Sequence, residues 1–264
     1  MNKFYIQTAL FLLSIFAYAN NETLAAEPAP GGDTKHQLRS RFATSEEIYE
    51  KNKHRLRACK NSISAADIMK DAVKHLEYHA TSKDGYEAYL QNPNDSISYY
   101  VKKFNDQTDI IKVNLNIYPS SQYNDIINRL WDPNGPKIFN KGTAKITRVY
   151  NPNLVAICQI CEKDSEHYRK YFYALVSKDE ISKDKTIIAM TSIDVDDRNP
   201  SSIKHKNPIL EDANLFKASL YPKNGVINEK YKKIYVNLAG YLIEKKGDDL
   251  EITYIESING HSSI

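Results

Sequence analysis

Apolar residues recur every three to four positions in two stretches of this chain and every second position in most of the rest. The spacing predicts a charged, weakly amphipathic helix over 46–60. A stronger helix is predicted over 65–80, where Ile68, Ala72, Val73 and Leu76 form one stripe and Ser64 with Asp67 gives a capping-box-like start. The period then changes to two over 86–90, 98–105 and 110–118, with NPND and NDQT as turn signals. Ser120-Ser121 opens another helix, with Tyr123, Ile126, Ile127 and Leu130 at helical spacing, and Asp132-Pro133-Asn134-Gly135-Pro136 ends it. Strand periods follow at 144–150, 154–160, 168–177, 186–194, more weakly at 215–220, and at 234–244 and 250–257. A polar loop is predicted at 196–212, and KKGDD between the last two strands predicts a hairpin with a Gly-Asp turn.

This order of helix, three strands, helix and about six antiparallel strands predicts an α+β fold whose sheet curls around a helix. It lacks the regular βα alternation of a Rossmann-type fold. Three strands are apolar on both faces: IYVNLAGYLI (234–243), with Asn237 as its one strongly polar residue, YFYALV (171–176) and TIIAM (186–190). A sheet with one wet face alternates more cleanly, so these strands are expected to be covered on both sides, by a thick core or around an internal cavity.

Composition narrows the class. A net charge of +3 over 264 residues is too small to argue for nucleic acid and only weakly permits an anionic membrane surface. Met1-Asn2-Lys3, the run ALFLLSIFAYA and the small residues at Ala17, Ala19, Ala25 and Ala26 have the pattern of a secretory signal, too short for a membrane span. Residues 1–25 are therefore expected as a signal peptide, 26–45 as a disordered linker and 46–264 as one soluble domain outside the cytosol. Cys158 and Cys161 should point to opposite faces of a strand, which leaves free buried thiols or a bridge from Cys59 to one of them. His75 and His79 could share a metal, but Glu77 does not follow the first His as a zincin requires, and no metal or cofactor is expected. No GxSxG occurs, and Asp196-Asp197 and Asp248-Asp249 fall in predicted turns. A binding module is expected rather than an enzyme. The excess of 19 Tyr over one Trp reflects codon composition or a ligand-facing use.

The segments WDPNGPKIFNKGTAKITRVYNPNLVAI, KYFYALVSKDEISKDKTIIAMTS, VNLAGYLIEKK and TYIESINGHSSI, with the N-terminal MNKFYIQ and LFLLS, resemble the fam-a (PYST-A) multigene family of rodent malaria parasites. That resemblance implies a START-like helix-grip: a curved antiparallel sheet around helices with an internal lipid tunnel. Trp131-Asp132-Pro133 is similar to the tryptophan turn after the second helix. Tyr168-Arg169-Lys170-Tyr171-Phe172 stands where the superfamily has Gly-Pro-Arg-Asp-Phe, so the arginine role would pass to Arg169. Asn259-Gly260-His261 matches the stretch leading into a final helix, and with Ile264 as the last residue that helix is expected to be missing. The resemblance implies non-enzymatic binding and transfer of a phospholipid, phosphatidylcholine first, with transient contact to a membrane surface and no nucleic acid; it leaves the oligomeric state open. Arg169, Tyr171, Tyr173, Met190, Asn237 and Tyr241 are the candidate lipid-binding residues, since Arg suits phosphate and Tyr faces suit choline. Alternatives are a degenerate member acting as a surface or antigenic interaction protein, and a helix-grip hydrolase or cyclase. A secreted location is implied, with the parasitophorous vacuole or the host red cell as destinations.

Overall fold

Thr44 starts the first described helix with a reciprocal cap. Its side chain accepts from Glu47 N, and the Glu47 carboxylate accepts from Thr44 N. The structure, a computed structural model, describes residues 42–56, 62–91, 97–104, 108–133, 135, 142–163, 169–197, 205–219 and 231–259. The expected signal, most of the expected linker, Cys59 and the stretch after 259 lie outside them. Helix α1 is Ser45–Asn52, α2 is Ser62–Thr81 and α3 is Tyr123–Trp131. Asp132 stops α3 by turning extended, as the residue before a proline must.

The strands are β1 (Glu87–Gln91), β2 (Ile97–Phe104), β3 (Thr108–Ile117), β4 (Gly142–Asn151), β5 (Leu154–Lys163), β6 (Arg169–Ser182), β7 (Lys185–Ser192), β8 (Asp194–Asp196), β9 (Lys217–Ser219), β10 (Tyr231–Lys233), β11 (Tyr235–Lys246) and β12 (Asp249–Asn259). The main sheet runs β1-β2-β3-β12-β11-β7-β6-β5-β4, every neighbour antiparallel, with β10 added parallel to β6. β8 and β9 form a separate parallel pair. The antiparallel run expected from the pattern is therefore present, with two short parallel pairings added beside it. They are possible because long connections, such as the one from Asp196 to Lys217, let the chain return in the same direction.

The final hairpin joins the two ends of this order. Lys246 pairs with Asp249 around Gly247-Asp248, and Gly247 has φ +68°, as such a turn requires. β12 then pairs with β3, so the last strand stitches β1–β3 to the remainder of the sheet.

Alternation along the strands divides the core into two layers. On one face α2 packs Ile68, Met69, Ala72, Val73 and Leu76 over Leu175, Ile187, Ala189, Leu238, Leu242 and Ile255. On the other, α3 packs Tyr123, Ile126, Ile127 and Trp131, with Ile48 of α1, over Phe172, Ala174, Ile188, Tyr241, Ile252 and Tyr254. The stretch expected as a polar loop at 196–212 contributes to the first layer. Asn207 accepts from the backbone N of Ile209 and of Leu210 and donates to Thr191 Oγ1 and Asn237 O, which seats Ile209, Leu210 and Phe216 in the α2-side core.

At Gly240 α2 meets the sheet closely. Its φ is +147°, and a Cβ there would lie 2.0 Å from Ile188 O and 2.6 Å from Leu76 Cδ1. Gly240→Ala should destabilise the fold by about 3 kcal/mol or more, through overpacking added to backbone strain. Gly247→Ala, with open space around its Cβ, should cost only about 1–2 kcal/mol. Urea unfolding of both variants checks the difference.

Candidate functional site

β12 presents Leu250, Ile252, Tyr254 and Glu256 at alternate positions, all toward α3 and all buried. Glu256 is thus a carboxyl in the phase of an apolar stripe. The Tyr254 hydroxyl donates to Glu256 Oε2 in a short hydrogen bond. Tyr241 stands directly across from Tyr254 in the β11–β12 ladder, with ring centroids 5.3 Å apart. The Tyr241 hydroxyl is buried and meets no hydrogen-bond partner among the described residues.

Arg129, in the last turn of α3, brings a buried guanidinium to the same layer and lies 5.7 Å from the Phe42 ring. Burial pushes the Glu256 carboxyl up to about 8, although the Tyr254 hydrogen bond opposes this. It raises both tyrosines well above their usual range; the Glu256 carboxyl adds to this at Tyr241 and the Arg129 cation opposes it. Met190, packed against this layer beside Ala239, completes the apolar surround with Ile188 and Phe172. The arrangement places a buried cation, an acid that is mostly neutral at pH 7 and two phenols among the apolar side chains of this layer.

Of the six residues expected from the sequence, Met190 and Tyr241 lie on this face. Tyr171 and Tyr173 project from the other face, into the α2-side core. There the Tyr171 hydroxyl donates to Asp197 Oδ2 at 2.9 Å, and Asp197 pairs with Lys233 at 3.5 Å, a link that holds β10 beside β6. Asn237 is also committed to the α2 side: its Nδ2 donates to Thr108 Oγ1 and Ser257 Oγ. Asn259 Nδ2 lies 2.9 Å from His205 Nδ1, which leaves the proton on His205 Nε2 to reach Asn237 Oδ1 at 2.8 Å. Arg169 is exposed at the start of β6, opposite Tyr231, and is neither buried nor near the Glu256 cluster. Four of the six therefore do not meet with Tyr241. Arg129 and Glu256 were not singled out by the sequence, although the phase of Leu250, Ile252 and Tyr254 already places Glu256 inside.

The remaining sequence candidates are dispersed. His75 pairs with Asp71 at 3.7 Å. His79 is buried against Tyr86, and burial with the Lys102 charge lowers it to about 4. No group of three metal-binding side chains gathers among the described residues. Cys158 is a half-buried thiol on the α2 side, pushed up to about 11 by burial, and Cys161 is buried on the α3 side, so the two do not face each other. Among the described residues no helix is long and apolar enough to cross a membrane.

Glu256 makes stability depend on pH in a defined direction. Its proton is bound more tightly folded than unfolded, so its favourable contribution is complete below about pH 4.5 and is lost as pH rises to about 8. Glu256→Gln should remove a decline of a few kcal/mol across that window. Chemical denaturation of both proteins from acid to mildly alkaline pH checks this, and equal slopes would place the carboxyl in water.

No protein-family model and no curated protein sequence matches the chain. Solved structures do. Human StAR-related lipid transfer protein 5 is 12% identical, with a TM-score of 0.53 over 77% of this chain and 86% of that one. Human STARD10 is 14% identical, with a TM-score of 0.47 over 73% and 68%. At 12% identity the first likeness speaks to architecture alone. The chain has a START-like helix-grip fold.

Proposed function

We propose that this protein binds one zwitterionic phospholipid, phosphatidylcholine first, between the sheet and α3, and transfers it between membranes without changing it. The observation that carries this reading is the polar cluster of Arg129, Tyr241, Tyr254 and Glu256 inside an apolar layer. Burying a guanidinium and a carboxyl costs several kcal/mol and adds nothing to a packed core that aliphatic residues could not supply. A ligand with a phosphate and an ammonium would engage both. The guanidinium matches phosphate by its two-pronged geometry, and a quaternary ammonium suits the tyrosine faces and favours the ionised form of Glu256. Acyl chains would lie along Phe172, Ile188, Met190 and Ile252. Arg129, rather than Arg169, is the residue to which this reading gives the phosphate.

The START-like fold supports lipid binding in general. The secreted setting, the destination in a parasitophorous vacuole or host red cell and the fam-a resemblance belong to the same proposal, and rest on the N-terminal pattern and the matching segments. A second reading has one observation in its favour: an acid raised to about 8 is suited to proton transfer at neutral pH, as a helix-grip hydrolase would need. Native mass spectrometry after incubation with mixed liposomes separates the two. Intact phosphatidylcholine at one per chain is expected; a lysolipid or fatty acid would support the hydrolase, and a lipid-free chain would contradict both.

Tyr241→Phe tests the site without disturbing the core. Removing a buried hydroxyl that meets no partner among the described residues should leave stability unchanged or slightly higher. If that hydroxyl meets the ligand, phosphatidylcholine retention should nevertheless fall about fivefold. Retention equal to that of the unsubstituted protein would remove Tyr241 from the site.

A further inference from the structure

At the C-terminal end of α2 a second group of residues lies away from the Glu256 cluster. Lys112 of β3 is buried, yet it makes no ion pair among the described residues. Its Nζ donates to Ser82 O at 2.5 Å and lies 4.0 Å from the Tyr86 ring centroid and 5.5 Å from that of Tyr100. Lys102 of β2 approaches the same turn, donating to Asp84 O at 2.8 Å, with the Tyr86 ring at 5.7 Å and the Tyr78 ring at 6.0 Å. Gly85, at φ +68°, folds the turn beneath it, where a Cβ would lie only 3.2 Å from Lys102 Cε.

Lys83 is exposed on this turn, and its charge together with that of Lys102 adds to burial in lowering Lys112. The nearby acids offset part of this field. The Asp84 carboxylate, 3.6 Å from Lys102, is 81% exposed, Glu87 is exposed, and Glu77 is engaged with Lys185 at 2.6 Å. Tyr78 stands beside Lys102 with half of its surface open to solvent.

The fold thus gathers positive charge against aromatic faces and carbonyls rather than against buried carboxylates. A small free anion would need several donors converging on one point, but Lys102 and Lys112 are pinned to separate carbonyls. A broad anionic surface needs only the summed field, and a tyrosine with long lysine stems beside it is suited to head-group depth. We propose that the Tyr78–Lys83–Lys102 surface, backed by the buried Lys112, docks the protein onto an anionic bilayer. The choice of a membrane over an acidic protein rests on the lipid-carrier reading. The patch lies on the α2 side of the sheet, so docking and the proposed lipid site occupy opposite faces.

Flotation of the full chain with phosphatidylcholine vesicles, with and without phosphatidylserine, tests this. The apolar N-terminal segment is common to every variant and cancels from the comparison. Binding should rise with phosphatidylserine and fall with salt, and Lys83→Gln should weaken the phosphatidylserine-dependent part about fivefold. Tyr78→Ser should weaken it as well, whereas Lys145→Gln on β4, at the opposite edge of the sheet, should not. Both patch side chains are exposed, so their melting temperatures should not change. Equal binding to the two vesicle types, unaffected patch variants, or an equal loss in Lys145→Gln would overturn the docking surface. Native mass spectrometry of the same samples keeps the two ideas apart. A parent chain that loads lipid but ignores phosphatidylserine defeats only the docking proposal. A lipid-free chain whose vesicle binding still depends on Lys83 and Tyr78 defeats only the carrier reading.

Discussion

Strands β11 and β12 must be covered on both faces at once, and most of the architecture follows from that constraint. From Val236 to Ile243 every residue of β11 is buried. Water cannot lie on either side, so one helix has to sit on each. α2 takes the face of Leu238, Gly240 and Leu242, and α3 takes that of Ala239, Tyr241 and Ile243. The approach of α2 is close enough that position 240 has no room for a Cβ. Since β12 also bonds to β3, the same pair of strands fixes how the first three strands meet the last ones.

Both faces of the sheet carry buried polar groups. On the α2 side several polar groups have protein partners: Asn207 ties its own segment to β7 and β11, Tyr171 and Lys233 share Asp197, and Asn237 is held by Thr108, Ser257 and His205, while the Tyr173 hydroxyl is buried without a hydrogen-bond partner among the described residues. Those networks offset desolvation with hydrogen bonds and specify the packing of loops and short strands. On the α3 side the Tyr241 hydroxyl is left over, next to an acid that burial keeps largely protonated.

Much of the architecture was legible in the sequence because its local signals agree with each other. The stripe through Ile68, Ala72 and Leu76, the Asp132-Pro133 stop and the Gly247 turn each correspond to an observed element. The short parallel strands were not legible, since three residues such as Tyr231–Lys233 carry no period. The site was only half legible for a related reason. In YFYALV both parities are apolar, so nothing local says that Phe172 faces α3 while Tyr171 and Tyr173 face α2. Arg129 was hidden because a basic residue in the last turn of a helix ordinarily complements the helix dipole. Glu256 did have a signal, its phase with Leu250, Ile252 and Tyr254, but a single acid beside Ser257 and Asn259 also reads as a polar strand end.

The central claim is that lipid lies on the α3 face, and photocrosslinking tests it most directly. Phosphatidylcholine carrying a diazirine on one acyl chain would be loaded, irradiated and mapped by peptide mass spectrometry. The account predicts adducts on α3-side residues such as Phe172, Met190 and Ile252. Adducts confined to Met69, Tyr171 or Leu238, on the α2 side, would contradict it.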